Sequence, residues 1–505
     1  MNNQVFPIDD LPVEVLEHIF SFLPLSDRKS ASLVCSQWEK LAFSRRFLRK
    51  VALEIRLWCK SQLTSLRRSS RRYRHLYVIF NMNVRNESCF KYMLEVLELF
   101  EKDAESFQCL GHFTTEQLCL VLSRLPNLQQ LVVGLNARAS DQSIEFPTLA
   151  QLQALGSLSN VLQIKNLDVP KVTQLSIVFT NSAEGKDSMP VLKRLAPQLK
   201  NVDLYSTGYF IPIEQLQFPK AEVLKIGGNL CLADHDWHLR TFFAGFKLLK
   251  EVVLNSAVKE IALDAITKAC PEIEIFKFKV LRFSPIPFHL LERLKYLKTL
   301  GLGLVYDDSE IDLKCNPLVS VKTLSVELSE CGEIFFERLQ HLLPNVIAMD
   351  VTLRDDWEFE WGLGQICRNF PGLQRLEISD LVIRGRTFFS SLLALEQLDQ
   401  LEELTLKEVH TRIVHLPSSR RLERFAINYP CWLTDGDLLD LASLYPKLRY
   451  LELGSGRQVT SKGIAAFKSQ LVNCVVHCFP SGLIWSRVLT IYRDILEIPR
   501  HMPIE

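Results

Sequence analysis

No stretch of this sequence approaches 18 uninterrupted apolar residues, so no membrane-spanning helix is expected. The early apolar run from Leu16 to Leu23 is broken by Glu17 and His18, and it lacks the length and flanks of a secretory leader. Charge of one sign is missing too. Lys and Arg number 59 against 58 Asp and Glu, a net of +1, which argues against a protein-wide field for nucleic acid or membrane. The thirteen cysteines contain no C-x-x-C pair. Their odd number and apolar neighbours (Val34-Cys35, Ile366-Cys367) point to free thiols in a reducing compartment, so cytosol or nucleus is expected. The Asn86-Glu87-Ser88 sequon is then never presented for glycosylation.

Catalytic signatures are also absent: there is no G-x-S-x-G, no H-E-x-x-H and no strand-linked G-x-G-x-x-G. Gly454-Ser455-Gly456-Arg457 leads towards Thr460 and reads as a loop, not a phosphate cradle. Asp234-His235-Asp236-Trp237-His238 crowds metal-type ligands on one loop without distant partners. Cys474-x-x-His477-Cys478 lacks a second ligand pair at finger spacing. Neither enzyme activity, nor cofactor, nor metal is expected.

What the chain does have is apolar mass, 47% of residues against 23% charged, enough for a large core. Between Phe6 and Phe47 the spacing predicts short helices. Asp9 and Asp10 precede Leu11-Pro12, and Pro near a first helical position costs no hydrogen bond. Val15, Leu16, Ile19, Phe20 and Leu23 then recur at helical spacing, and Pro24 stops that helix. Ser26 or Asp27 is placed to cap a second helix carrying Ala31, Val34, Cys35, Trp38 and Leu41. About forty residues cannot bury this load alone, so the surplus surface wants a partner.

Leu11-Pro12-x-Glu14, Ile19-Phe20-x-x-Leu23 and Leu33-Val34-Cys35-x-x-Trp38 together resemble an F-box. The resemblance implies docking on the Skp adaptor of SCF-type, cullin-based ubiquitin ligases, and through it to cullin and RING subunits. By that analogy Leu11 and Pro12 insert first. Leu16, Ile19, Phe20, Leu23, Val34, Cys35 and Trp38 supply further contacts or brace them.

Beyond this segment one pattern recurs, L-x-x-L-x-L. It appears as Leu128-x-x-Leu131-x-Val133, Leu199-x-x-Val202-x-Leu204, Leu297-x-x-Leu300-x-Leu302 and Leu401-x-x-Leu404-x-Leu406, among others. Central positions fall at 131, 152, 175, 202, 224, 252, 276, 300, 324, 349, 376, 404, 425 and 451. The copy at Leu152 is poor, and those near Leu76 and Leu110 are irregular. A mean spacing of about 25 residues lies in the range of leucine-rich repeats. The expected fold is α/β: N-terminal all-α helices, then a curved βα solenoid (a horseshoe with a parallel sheet inside and helices outside). Helical return segments are expected at Phe335–Leu343 and Phe388–Leu393. Leu433-Thr434-Asp435 and Val459-Thr460-Ser461 resemble the F-box-associated, cysteine-containing repeat subtype, with Thr as helix N-cap. The expected boundaries are 6–50 for the F-box, 51–75 for a basic linker, 76–479 for the repeats and 480–505 for a C-terminal cap or tail.

Strand residues that alternate with the core face the inner wall. Those singled out for a protein client are Asp203, Tyr205, Lys225, Lys277, Asp350, Arg375, Glu377, Lys407 and Tyr450. Trp357 and Trp361 follow a strand among four acids, and either anchor a client or pin a helix onto the array. Acids and bases mix on this wall, which suits a folded protein better than a phosphorylated segment. Between Arg45 and His75 eleven Arg and Lys oppose the single acid Glu54. This stretch reads as a solvated linker, an import signal or a patch for an acidic client, and Ser69 and Ser70 within it are candidate phosphorylation sites. An F-box followed by leucine-rich repeats looks like a substrate receptor. A scaffold without ubiquitin transfer is the runner-up, and a nucleic-acid binder through the basic segment is third.

Overall fold

The computed structural model describes residues 8, 11–23, 25–56, 60–79, 87–135, 146–159, 167–179, 182–206, 215–228, 236–279, 285–306, 311, 315–329, 331–353, 359–380, 390–407, 409, 411–428, 432–454 and 458–478. They form two units, divided between Ile211 and Pro212. The tail expected to cap the array, 480–505, lies outside the described residues.

The first unit opens with four helices: α1 (Val13–Ser21), α2 (Leu25–Ala31), α3 (Ser36–Ala42) and α4 (Arg45–Leu48). Seven strands follow: β1 (Ala52–Arg56), β2 (His75–Ile79), β3 (Ser106–Phe113), β4 (Gln130–Leu135), β5 (Ala154–Ser159), β6 (Gln174–Phe179) and β7 (Asn201–Ser206). Each pairs parallel with the next in chain order. Return helices α5 (Lys60–Arg68), α6 (Glu87–Glu98), α7 (Thr115–Ser123) and α8 (Ser182–Leu195) lie between them. The register lines up Leu53, Leu76, Phe107, Leu131, Leu155, Leu175 and Val202, all buried. At about 1.5–3 kcal/mol for each large apolar side chain, this row is a sizeable favourable contribution to the unit.

Two repeat positions need correcting. The poor copy is centred on Leu155, not Leu152. Leu152 is buried in the preceding turn, where its N–H donates to the Leu149 carbonyl at 3.0 Å. The irregular copy near Leu110 is centred on Phe107. The stretch 51–75 is not a linker either: β1 pairs with β2 along five residues, and α5 runs between them. Its excess charge hid this, because acids from elsewhere answer it. Arg46 pairs with Glu17 (3.5 Å), Arg67 with Glu95 (3.2 Å), Arg74 with Glu105 (2.6 Å), and both Arg45 (3.0 Å) and Arg72 (3.8 Å) with Asp103.

The second unit carries eleven described strands: β8 (Val223–Gly228), β9 (Glu251–Ala257), β10 (Ile275–Lys279), β11 (Thr299–Tyr306), β12 (Thr323–Ser329), β13 (Ala348–Leu353), β14 (Arg375–Asp380), β15 (Glu403–Lys407), β16 (Arg424–Ile427), β17 (Tyr450–Leu453) and β18 (Val475–Cys478). They too are parallel in chain order. The buried row runs from Leu224 through Phe276, Leu300, Met349 and Leu404 to Leu451, and β18 extends the array one strand beyond the last expected copy. Helices α9 (Asp236–Ala244), α10 (Glu260–Ala269), α11 (Phe288–Leu291), α12 (Glu333–Leu342), α13 (Phe359–Asn369), α14 (Asp435–Leu444) and α15 (Ser461–Gln470) form the return layer. The helix expected at 388–393 falls partly outside the described residues, and its visible continuation is a 3-10 turn, Leu393–Gln397.

Thr434 and Thr460 do cap α14 and α15. Asp435 then accepts hydrogen bonds from the Thr460 N–H (2.7 Å) and hydroxyl (2.6 Å), tying the two repeats together and holding its carboxyl below the usual carboxylate range. The described cysteines are all free thiols. Burial pushes Cys270 and Cys367 up to about 12, which leaves them inert as nucleophiles. Among the described residues no helix is long and apolar enough to cross a membrane.

Candidate functional site

Two apolar stripes run along α1. Leu16 and Phe20, four apart, turn into the helical bundle and are buried, with Phe20 meeting Trp38 edge to face at 5.3 Å. Pro12, Val15 and Phe22 occupy another side and are exposed. Pro12 stands at the N-cap, and its carbonyl accepts from the Val15 and Leu16 N–H groups at 3.0 and 3.1 Å.

The spacing of Ala31, Val34, Cys35, Trp38 and Leu41 predicts one helix; the chain makes two. Leu33 and Val34 N–H groups bond back to the Ser30 and Ala31 carbonyls, closing a turn after α2. Cys35 is extended, and its Sγ accepts from the Trp38 N–H at 3.5 Å as the cap of α3. The turn pushes its apolar tip into solvent: Leu33 is 86% exposed and Val34 62%, while Phe22 is 74% exposed.

The sequence-derived docking set therefore divides. Leu16 and Phe20 brace the bundle from within. Leu11, Ile19, Leu23 and Trp38 are half-buried, and Pro12, Val34 and Cys35 are exposed. Phe22, outside that set, and Leu33, quoted in the motif but not in the set, are exposed as well. Val15 and Phe22 lie seven apart, on a stripe separate from Leu16-Phe20, and that spacing was the signal for a second face. The bundle has a closed core of its own (Leu16, Phe20, Leu41, Ala42, Leu48) and still leaves an apolar surface outside.

The other surface is the solvent-facing side of the strands. In the first unit it holds Asp203 and Tyr205 on β7, both half-buried. In the second unit the charges are paired across strands. Lys225 meets Glu251 at 3.3 Å, Arg375 meets Asp350 at 3.8 Å, and Lys407 pairs with Glu377. Gly301 faces Lys277 in register, and a Cβ there would stand 2.7 Å from the Lys277 Cβ. The bare glycine is what lets the lysine stem lie across β11. Further along, the Arg424 guanidinium sits 4.6 Å over the Tyr450 ring, which tilts against His477 at 5.2 Å.

Asp350 is the costly member of this wall. Burial, then the Glu377 charge opposite it in register, raises its carboxyl pKa against the pull of Arg375, Lys277 and Lys407. A carboxyl raised on folding gives its full stability below the unfolded carboxylate range, and that stability is lost as pH rises through the folded value. Asp350→Asn is therefore expected to raise the Tm by about 1–2 °C at pH 7–8 and to match the wild type near pH 3. A melting series across that range checks it; a lower Tm at every pH contradicts it.

Trp361 belongs to the helical layer. It lies on α13 and packs edge-on against Phe336 of α12 at 6.2 Å, as a helix pin does. Trp357 lies outside the described residues, as do Asp234 and His235. Among the described residues no group of His, Cys, Asp and Glu is arranged to hold a metal ion.

The family model described as F-box-like matches residues 8–54, and this stretch is an F-box-like domain. A search of the curated proteins finds no match. Similar solved structures include the plant peptide hormone receptor RGFR1 in complex with RGF2, at 13% identity over 85% of this chain and 69% of that one, TM-score 0.29. Another is the Rad7 and Elc1 complex of yeast, at 11% identity over 89% and 90%, TM-score 0.27. A third is the mouse RP105/MD-1 complex, at 13% identity over 90% and 89%, TM-score 0.31. At such scores it is the strand register and repeat spacing of this chain itself that define its leucine-rich-repeat fold.

Proposed function

We propose that this chain is the substrate-recognition subunit of an SCF-type cullin ubiquitin ligase, with the F-box-like domain docking on a Skp-type adaptor and the repeats holding a protein client. The observation that carries this reading is the surplus apolar face. A domain of about forty-five residues closes its own core around Leu16 and Phe20 and still exposes Val13, Val15, Phe22, Leu33 and Val34. Burying each such side chain is worth up to about 1.5–3 kcal/mol. The total competes with the roughly 4–15 kcal/mol that association costs.

In this reading the chain makes and breaks no covalent bond. It raises the effective concentration of the client near a ubiquitin-loaded enzyme brought by the cullin and RING subunits, and proximity alone supplies several kcal/mol. The paired charges of Lys225, Asp350, Arg375, Glu377 and Lys407 support a folded protein client, whose own charges can exchange with these pairs at little cost. The site of action is the cytosol or the nucleus.

Affinity purification of the tagged full chain from cells tests the reading. Adaptor and cullin are expected together in one complex with it. Adaptor without cullin would instead make the chain a scaffold, and recovery of neither would overturn the docking face.

A further inference from the structure

We infer that Ser70 is a phosphorylation site whose modification loosens the attachment of the F-box-like helices to the first repeat. The segment Arg67-Arg68-Ser69-Ser70-Arg71-Arg72 begins in the last turn of α5, and from Ser69 on it runs towards β2 without regular structure. Its two hydroxyls differ. Ser69 is half-buried, and its Oγ accepts from the Arg71 N–H at 3.2 Å, which fixes the local turn. Ser70 is exposed, and so are Arg67, Arg68 and Arg72. An enzyme reading this stretch meets two arginines, three and two residues ahead of an accessible serine. An acidic kinase groove selects that charge pattern by complementarity. The co-reactant is ATP: the Ser70 Oγ bonds to the γ-phosphorus, the bridging bond to the β-phosphate breaks, ADP leaves, and the serine proton goes to solvent.

The consequence follows from what the neighbouring arginines already do. The Arg71 guanidinium lies 3.4 Å over the ring of Phe43, just past the end of α3. Arg72 reaches Asp103 at 3.8 Å, and Asp103 also receives Arg45 of α4 at 3.0 Å. Arg71 on Phe43 and Arg45 on Asp103 join the helical bundle to the first repeats, and Arg72, itself within the repeats, shares the Asp103 carboxylate. Arg45 and Arg72 are more than half exposed, so both ion pairs are screened and weak. A phosphoserine carries a charge of about −1.5 to −2 and three acceptor oxygens. Placed between Arg68 and Arg71-Arg72 in the chain, it offers those guanidinium groups more charge than the Asp103 carboxylate or the Phe43 ring does. Arg71 turns from the Phe43 ring towards the phosphate and Arg72 leaves Asp103, so the joint keeps the Arg45–Asp103 pair and loses the Phe43 contact.

The test uses the purified full chain with a basophilic Ser/Thr kinase and ATP, read by mass spectrometry and amide hydrogen exchange. Phosphate is expected on Ser70, about tenfold less in the Ser70→Ala chain and unchanged in Ser69→Ala. After stoichiometric phosphorylation, amides 43–49 are expected to exchange about threefold faster, with amides of α14 and α15 unchanged. Arg71→Ala without kinase, which removes the contact on Phe43, should move the same amides in the same direction. Modification at Ser69 in place of Ser70, or unchanged exchange at 43–49 once Ser70 is fully modified, overturns the inference.

Discussion

The paired substitution Leu33→Asp, Val34→Asp is expected to weaken binding of a Skp-type adaptor by at least about 100-fold, roughly 2.7 kcal/mol, with the melting temperature nearly unchanged. Both side chains stand in solvent at the tip of the turn between α2 and α3, so the isolated chain gains no buried charge. In a complex the same positions would carry two carboxylates into an apolar contact, which adds a desolvation cost to the lost burial. Phe20→Ala gives the opposite signature. Phe20 is buried against Trp38, and removing such a ring costs about 3–5 kcal/mol, so binding fails because the bundle opens. Measured side by side by calorimetry and thermal melting, the two variants separate a docking face from a core. Unchanged adaptor affinity in the double Asp variant would place the face elsewhere.

The second large effect is expected at Gly454, where the chain leaves β17. Its N–H donates to the Ile427 carbonyl at 2.7 Å, bringing the backbone down onto the end of β16. An added Cβ would stand 2.9 Å from the Asn428 Cα and closer still to that residue's carbonyl. Backbone cannot move aside as a flexible side chain does. Gly454→Ala is therefore expected to cost about 1–3 kcal/mol or more, and to lower the melting temperature of the second unit by at least about 3 °C. The damage spreads towards β18, because β17 and β18 pair along four residues. Gly364→Ala is the control: nothing stands within 4 Å of its Cβ, it lies within α13, and it should gain up to about 1 kcal/mol. Equal melting temperatures for the two variants would refute the clash. Adaptor binding, which the proposed function assigns to the first unit, should survive both.

The array was legible because its period is physical. A residue that must be buried against the neighbouring repeat recurs in every copy, so Leu300, Leu376 and Leu451 mark their strands without any knowledge of the rest. The failures have equally specific causes. Leu152 satisfies the pattern but is used in a turn, three residues before the register position Leu155. β1 was hidden because it lies within a charge run whose counter-charges, at Glu17, Glu95, Asp103 and Glu105, are distant in sequence. In the helical domain, periodicity located the apolar residues but did not say which stripe faces in. Leu16-Phe20 and Val15-Phe22 are both apolar at helical spacing, and only packing against α3 assigns the first to the core. The turn at Ser32–Cys35 depends on backbone hydrogen bonds that no spacing rule reports. On the wall, the sequence supplied the charges, but their cross-strand pairing required the register.

The most direct measurement is titration calorimetry of the purified full chain with a purified Skp-type adaptor at two temperatures. A one-to-one complex of sub-micromolar affinity, about −8 kcal/mol or better, with a negative heat-capacity change from apolar burial, is the predicted result. No heat at either temperature, and separate elution on gel filtration at about ten times that concentration, would contradict it.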